Sequence, residues 1–165
     1  MTATPYLEGE FAFVMKTTLR PEDGPCTIEQ LVAAIGELRP AIEVVGGRFT
    51  RFVGVPVPSI IADAGSNAHV VLGPPVATWH PADLPEQEAT MSVDGQVATN
   101  GSGRDVLGNP VNSLHWLVEH LSERNIALEA GQVVATGTAT KVTELPSGST
   151  AEADFGPIGR VTTSY

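Results

Sequence analysis

One cysteine, Cys26, occurs in 165 residues. That excludes an internal disulfide framework and any cysteine-based zinc cluster. Aromatic residues are scarce at 5%, and Lys plus Arg number 9 against 19 Asp plus Glu, for a formal net charge of −10. With an isoelectric point near 4.7, neither nucleic acid nor an anionic membrane is expected as the main partner. No apolar run approaches the roughly 18 residues that a membrane span needs. The opening "MTATPYLEGE" has neither a basic region nor an apolar signal core, so the cytoplasm is the expected compartment. What remains is a chain with 42% hydrophobic residues and a mean hydropathy of +0.07. It reads as one domain over residues 1–165 with a sizeable core. The negative charge has two readings, a solvated acidic surface or a metal site whose ligand carboxylates count as uncompensated.

Turn and periodicity signals divide the chain into many short strands and two helices. "YLEGEFAFVM", residues 6–15, alternates as a strand with Glu8 and Glu10 on one face and Phe11, Phe13 and Met15 on the other. "LRPEDGPC" reads as a loop. "TIEQLVAAIGEL", residues 27–38, predicts a helix with Thr27 and Gln30 at capping-box spacing and Ile28, Leu31, Val32, Ile35 and Leu38 at helical intervals. "PAIEVVGG" is strand-like, residues 48–68 look irregular, and "HVVLGPPV" is a short strand ending at Pro74-Pro75. Asp94-Gly95 supplies type I′ turn residues for a hairpin over 88–103. A second helix is expected over "NSLHWLVEHLSERN", capped by Asn112 and burying Leu114, Leu117, Val118 and Leu121. "QVVATGT", "STAEADF" and "GRVTTSY" complete the strands. This pattern predicts an α+β, mostly β architecture.

Two neighbouring carboxylates on a core strand repel each other and resist desolvation, so their pKa values rise or a cation neutralises them. Oxygen-only ligands suit a hard divalent ion such as Mg²⁺ or Mn²⁺. Glu43, inside the apolar "PAIEVV", is a third carboxylate in similar surroundings. The competing reading leaves Glu8 and Glu10 at a solvent-exposed edge and pairs Glu43 with Arg48 or Arg51. "ATGTAT", residues 135–140, has the shape of a turn that offers N–H groups and the hydroxyls of Thr136 or Thr138 to an anion. "NGSGRDVLGNP" is glycine-rich like a phosphate loop but lacks the Walker lysine and a helix at the right place. The four histidines lack H-x-x-x-H spacing, which speaks against zinc, and His115 and His120 read as helix-surface residues. No G-x-S-x-G elbow is present, and Cys26 has no evident activating partner.

The segments "LEGEFAFVM", "LRPAIEVVGGRF", "IIADAGSNAHVVLG", "DGQVATNGSGRDVLGNPVNSLHWLVEHL", "LEAGQVVATGT" and "ADFGPIGRVTTSY" occur in the order of a known family. Through them the chain resembles the 2-keto-4-pentenoate hydratase / 4-oxalocrotonate decarboxylase group of the fumarylacetoacetate hydrolase superfamily. The resemblance implies a mixed β-roll with two main helices, and Mg²⁺ or Mn²⁺ held by Glu8, Glu10 and Glu43. It implies a small 2-oxo acid as partner, and a lyase that hydrates a 2-hydroxy-2,4-dienoate type substrate. Alternatives on the same site are a decarboxylase and a tautomerase or specialised biosynthetic enzyme; a non-catalytic paralogue partnering another subunit is a further one. Asp63 and Ser66 match the family's "ADNAS" segment, Asp63 as acid/base or water-positioning group. Arg48 matches the arginine after the third metal ligand, with a structural role or substrate-side charge, and Thr136, Gly137 and Thr138 match the turn that approaches the substrate carboxylate. The family's N-terminal active-site lysine has no counterpart in these 165 residues. Gly46-Gly47 replace a polar pair, and Asn109 stands where histidine is common. A homo-oligomer or a complex with a related subunit is expected.

Overall fold

The computed structural model describes residues 4–49 and 54–165. Arg51, one of the two arginines considered for Glu43, lies outside the described residues. The α+β, mostly β expectation holds. Its centre is β1 (Tyr6–Met15), a run of ten residues in a sheet of order β3-β2-β1-β6. β2 (Ile35–Val45) pairs along one edge of β1, β6 (Val133–Thr138) and the short β7 (Thr143–Glu144) along the other. β3 (Asn67–Leu72) extends the sheet beyond β2. The second sheet has the order β5-β4-β8-β9: β4 (Glu88–Val93), β5 (Gln96–Ser102), β8 (Thr150–Asp154) and β9 (Arg160–Ser164). Every pair between these strands is antiparallel.

Alternation along β1 sends Leu7, Phe11, Phe13 and Met15 into the core between the sheets. There Phe11 meets Phe155 edge-on at 5.0 Å between ring centroids, a favoured aromatic geometry. Leu38 and Ile42 of β2, Met91 of β4 and Ala153 of β8 fill the same layer. Gly9, between the two glutamates, keeps its place for want of room. A Cβ there would lie 3.0 Å from Thr140 Cγ2 and 3.6 Å from the Phe155 ring.

Helix α1 (Ile28–Ala34) starts as expected, with both bonds of the Thr27–Gln30 capping box formed. It stops earlier than periodicity predicts, because Ile35 to Leu38 enter β2. Ile35 lies opposite Met15 and Leu38 opposite Phe13. Ile35 and Leu38 satisfy the helical interval and a strand equally well, and pairing along the whole of β1 decides the matter. α3 (Pro110–Ser122) begins two residues before the expected cap: the Asn109 side chain accepts from Val111 N, and Pro110 occupies the first turn. Leu114 and Val118 are buried, and Leu117 and Leu121 pack against the core from partly buried positions. Within the stretch expected to be irregular lies a short helix, α2 (Val57–Ala62).

Pro40 sits inside β2 although a proline cannot donate to the ladder. Its carbonyl still accepts from Gly73 N at 2.8 Å. The Gly73 carbonyl takes Arg39 Nη1 at 3.0 Å instead, so this backbone acceptor is satisfied by a side chain. The hairpin turn forms at Asp94 (φ 49°) and Gly95 (φ 77°) as predicted. His115, expected on the helix surface, is half-buried and bonds the Cys26 carbonyl through Nε2 at 2.8 Å, tying α3 to the segment before α1. No helix among the described residues is long and apolar enough to cross a membrane.

Two glycines of "NGSGRDVLGNP", Gly101 and Gly103, serve packing. A Cβ on Gly101 would lie 2.1 Å from the Ala139 carbonyl oxygen, and one on Gly103 1.9 Å from that of Leu84. Backbone on the far side cannot rotate away as a side chain would. Gly103→Ala is therefore expected to destabilise the fold by about 3 kcal/mol or more, read from the urea midpoint. A midpoint equal to wild type would refute the close approach.

Candidate metal centre

Glu8 and Glu10 project from the same face of β1, and the register sets Glu8 directly opposite Glu43 of β2. One carboxylate oxygen from each of Glu8, Glu10 and Glu43 lies within 4.8 Å of the others. Glu10 is 2% exposed, whereas Glu8 and Glu43 are half-buried. No lysine, arginine or histidine among the described residues forms an ion pair with any of the three. Arg48, the other arginine considered for Glu43, pairs with Asp63 instead.

The electrostatic consequence is marked. Burial pushes the Glu10 carboxyl up to about 8. The Gly137 N–H opposes that shift, and Glu43 and Glu8 reinforce it. Glu8 is raised as well, first by burial and then by the charge of Glu43. Convergent carboxylates without a protein cation form the donor set of a hard divalent ion such as Mg²⁺, so the residues present fit such an ion.

Each of two glutamates is also gripped from a neighbouring strand. Gly137 N donates to Glu10 Oε2 at 2.8 Å, and Asn67 Nδ2 donates to Glu43 Oε1 at 2.7 Å. Within the 135–140 turn, the Gly137 N–H thus addresses Glu10. The Thr136 hydroxyl is buried and donates to the Phe11 carbonyl at 2.9 Å, while the Thr136 carbonyl accepts from Ser113 Oγ at 2.7 Å. Thr138 Oγ1 donates to the Thr140 carbonyl. Gly137, exposed and at φ 101°, occupies a conformation that favours glycine.

Asp63 and Arg48 meet each other and stand outside the glutamate trio. The Asp63 carboxylate accepts from Arg48 N at 2.9 Å and from the Arg48 guanidinium. These bonds, the backbone one first, hold the Asp63 carboxyl below its usual range. The Asp63 side chain is 5% exposed and that of Arg48 is 74% exposed. Gly47 makes the contact possible: a Cβ there would come within 3.0 Å of Asp63 Oδ2. Ala64, Gly65 and Ser66 follow at φ 55°, 69° and 65°, a run of left-handed backbone that costs energy at the two non-glycine positions. Ser66 N donates to the Asp63 carbonyl and the Ser66 carbonyl accepts from Gly46 N at 2.8 Å, which ties the turn to the end of β2. Asn67 is the site-facing side chain that sequence reasoning passed over. Nothing in "SNAHVV" marks it.

The raised Glu10 pKa sets the sign of a pH effect in the metal-free protein. The folded value near 8 lies above the ordinary glutamate value of 4.5, so the native state holds the extra proton between those values. Stability is therefore fully present below about pH 4.5 and falls as pH rises toward 8. Between pH 6 and 8 in EDTA, the unfolding free energy is expected to drop by about 2 kcal/mol, and Glu10→Gln should flatten most of that slope. A flat wild-type profile would contradict the buried, uncompensated carboxylate.

Comparison with known proteins agrees with this architecture. Residues 2–164 match the family model described as Fumarylacetoacetate (FAA) hydrolase C-terminal. A 4-oxalocrotonate decarboxylase of Pseudomonas putida is 30% identical over 162 residues, covering 98% of this chain and 60% of that protein. A 2-keto-4-pentenoate hydratase of Burkholderia vietnamiensis is 31% identical over 161 residues, with the same 98% and 60% coverage. Among solved structures, 4-oxalocrotonate decarboxylase from Pseudomonas putida G7, complexed with magnesium and adipate, superposes with a TM-score of 0.87 at 29% identity. That likeness covers 98% of this chain and 60% of the other, so the chain spans about 60% of the length of these relatives. On the match over residues 2–164, the chain belongs to the fumarylacetoacetate hydrolase family.

Proposed function

We propose that the chain is a divalent-metal-dependent lyase acting on a 2-oxo or 2-enol acid, a hydratase of a 2-hydroxy-2,4-dienoate type substrate. Mg²⁺ or Mn²⁺ is the proposed cofactor, with Glu8, Glu10 and Glu43 as its ligands. One observation carries the reading: three carboxylate oxygens converge within 4.8 Å without a protein cation among the described residues. When bound there, such an ion would stabilise negative charge on an enolate oxygen without a proton donor.

The chain's own residues would then divide the remaining work. The Gly137 N–H fixes one Glu10 oxygen and leaves the other for the ion. Gly137, with no side chain, leaves room for a substrate carboxylate over the turn. Thr136 holds that turn to β1 through Phe11, and Thr138 borders it. Arg48 spends Nη1 and its backbone N–H on Asp63, so its outward guanidinium face is the proposed contact for substrate charge. Asp63, held in its ionised form, suits an acceptor that orients water or takes a proton better than it suits a proton donor. Ser66, fixed beside it in the left-handed turn, completes the proposed substrate side.

Decarboxylation on the same site is the second reading, favoured by the TM-score of 0.87 to 4-oxalocrotonate decarboxylase. Assembly with a second copy or a related subunit belongs to the proposal too, since Val57, Ile61, Val97 and Leu107 are 63–70% exposed.

Calorimetric titration of Mn²⁺ into metal-free protein, with and without oxalate as mimic of a chelating 2-oxo acid, tests the proposal. The expected result is binding at one site, tightened by oxalate, with both effects lost in Glu10→Gln. Dienol acids would then be followed by ultraviolet absorbance, and evolution of CO₂ would separate decarboxylation from hydration. Wild-type protein that binds neither Mn²⁺ nor Mg²⁺ sinks the enzyme reading and leaves a partner subunit.

A further inference from the structure

The pairing of β3 with β2 contains a register shift at the candidate metal centre. Glu43 lies opposite Val70 and Val44 opposite His69, but Val45 lies opposite Asn67 instead of Ala68. An unbroken ladder would pair Val45 with Ala68 and Gly46 with Asn67. Side chains alternate between faces along a strand, so Asn67 would then share the face of Val44 and point away from Glu43. The extra residue, Ala68, turns Asn67 onto the face shared by Glu43 and Val45. There its Nδ2 reaches Glu43 Oε1 at 2.7 Å.

A second irregularity mirrors the first on the other side of the glutamates. Glu10 lies opposite Thr138 and Ala12 opposite Ala135, so one residue more of β6 than of β1 is accommodated between those pairs. Gly137 falls within that extra length, and its N–H donates to Glu10 Oε2 at 2.8 Å. Each neighbouring strand thus breaks register beside the glutamate it addresses, and each break delivers one N–H donor to one carboxylate oxygen. Bulges concentrate at functional sites because they re-aim single groups in this way. Glu8, the remaining member, receives no such donor among the described residues.

We propose that Asn67, turned inward by the bulge at Ala68, is a positioning residue of the metal centre: it orients Glu43 and fixes which carboxylate oxygen faces the ion. The inference rests on the metal-binding reading above. A hydrogen bond that immobilises a ligating carboxylate prepares it for the ion, and loss of such a partner weakens metal affinity about 10–100-fold. The backbone tie from Ser66 to Gly46 and the Asp63–Arg48 pair hold the strand entry where the bulge begins, so Asn67 is presented from a braced turn.

Asn67→Leu, close in size but without a donor, tests this with Mn²⁺ as the probe. Calorimetry on the whole chain is expected to give binding about 10–100-fold weaker than wild type, at an unchanged melting temperature in EDTA. The electron paramagnetic resonance spectrum of the Mn²⁺-saturated variant should differ from wild type, reporting a changed ligand arrangement. His69→Ala, on the same strand but exposed and opposite Val44, should bind within about twofold of wild type. If the leucine variant fails to fold, Asn67→Ala takes its place in the same measurements. Wild-type binding with an Asn67 variant inside that twofold margin overturns the positioning role and leaves the metal centre intact. Weakening matched by an equal loss of stability in EDTA assigns Asn67 to the fold and overturns it as well. Absence of Mn²⁺ binding in wild type defeats the metal reading itself, and this inference with it.

Discussion

Everything in this protein is arranged around the two-faced alternation of β1. One face of the strand carries Leu7, Phe11, Phe13 and Met15 into the core, and the opposite face carries Glu8 and Glu10. Slippage by one residue would exchange those faces, burying carboxylates in the apolar layer and exposing phenylalanines. Pairing on both edges, with β2 on one side and β6 and β7 on the other, forbids that slip. The apolar face thus supplies the energy that holds the acidic face in place.

That acidic face is a local conflict within an otherwise consistent fold. Three carboxylates share a small volume, Glu10 is almost wholly buried, and no described cation offsets them. Two N–H donors relieve part of the charge, one from Gly137 and one from Asn67. The remainder raises the proton affinity of Glu8 and Glu10. Sites that break the rules of burial while the surroundings obey them are where function is sought. The backbone departs from regularity at the same place, with breaks in register in β3 and β6 and left-handed residues from Ala64 to Ser66.

Asp63 and Arg48 illustrate how a strong pair can stand apart from a charged centre while serving it. Their bonds hold the start of the 63–66 turn, and that turn leads directly into Asn67. Gly47 is small because Asp63 needs its space. A side chain at position 47 would crowd the Asp63 carboxylate and the Ser66 hydroxyl.

The sequence alone determined the elements whose signals are local. Alternation marked β1 and its glutamates, Asp94-Gly95 marked the hairpin, and Thr27 with Gln30 marked the start of α1. Those features depend on side-chain period, turn conformation or a cap, each encoded within a few residues. The end of α1 lay outside that reach, because Ile35 and Leu38 fit a helix and a strand equally and only β1 chose between them. The true cap of α3 was written locally as Asn109-Pro110, yet Asn112 competed with the same chemistry three residues after Asn109. Only the tertiary structure decided that Asn67 faces Glu43, that Gly137 N–H serves Glu10, and that Arg48 belongs to Asp63. A bulge changes the face of a residue without changing its neighbours in sequence, so the aim of such a side chain exists only once the strands have paired.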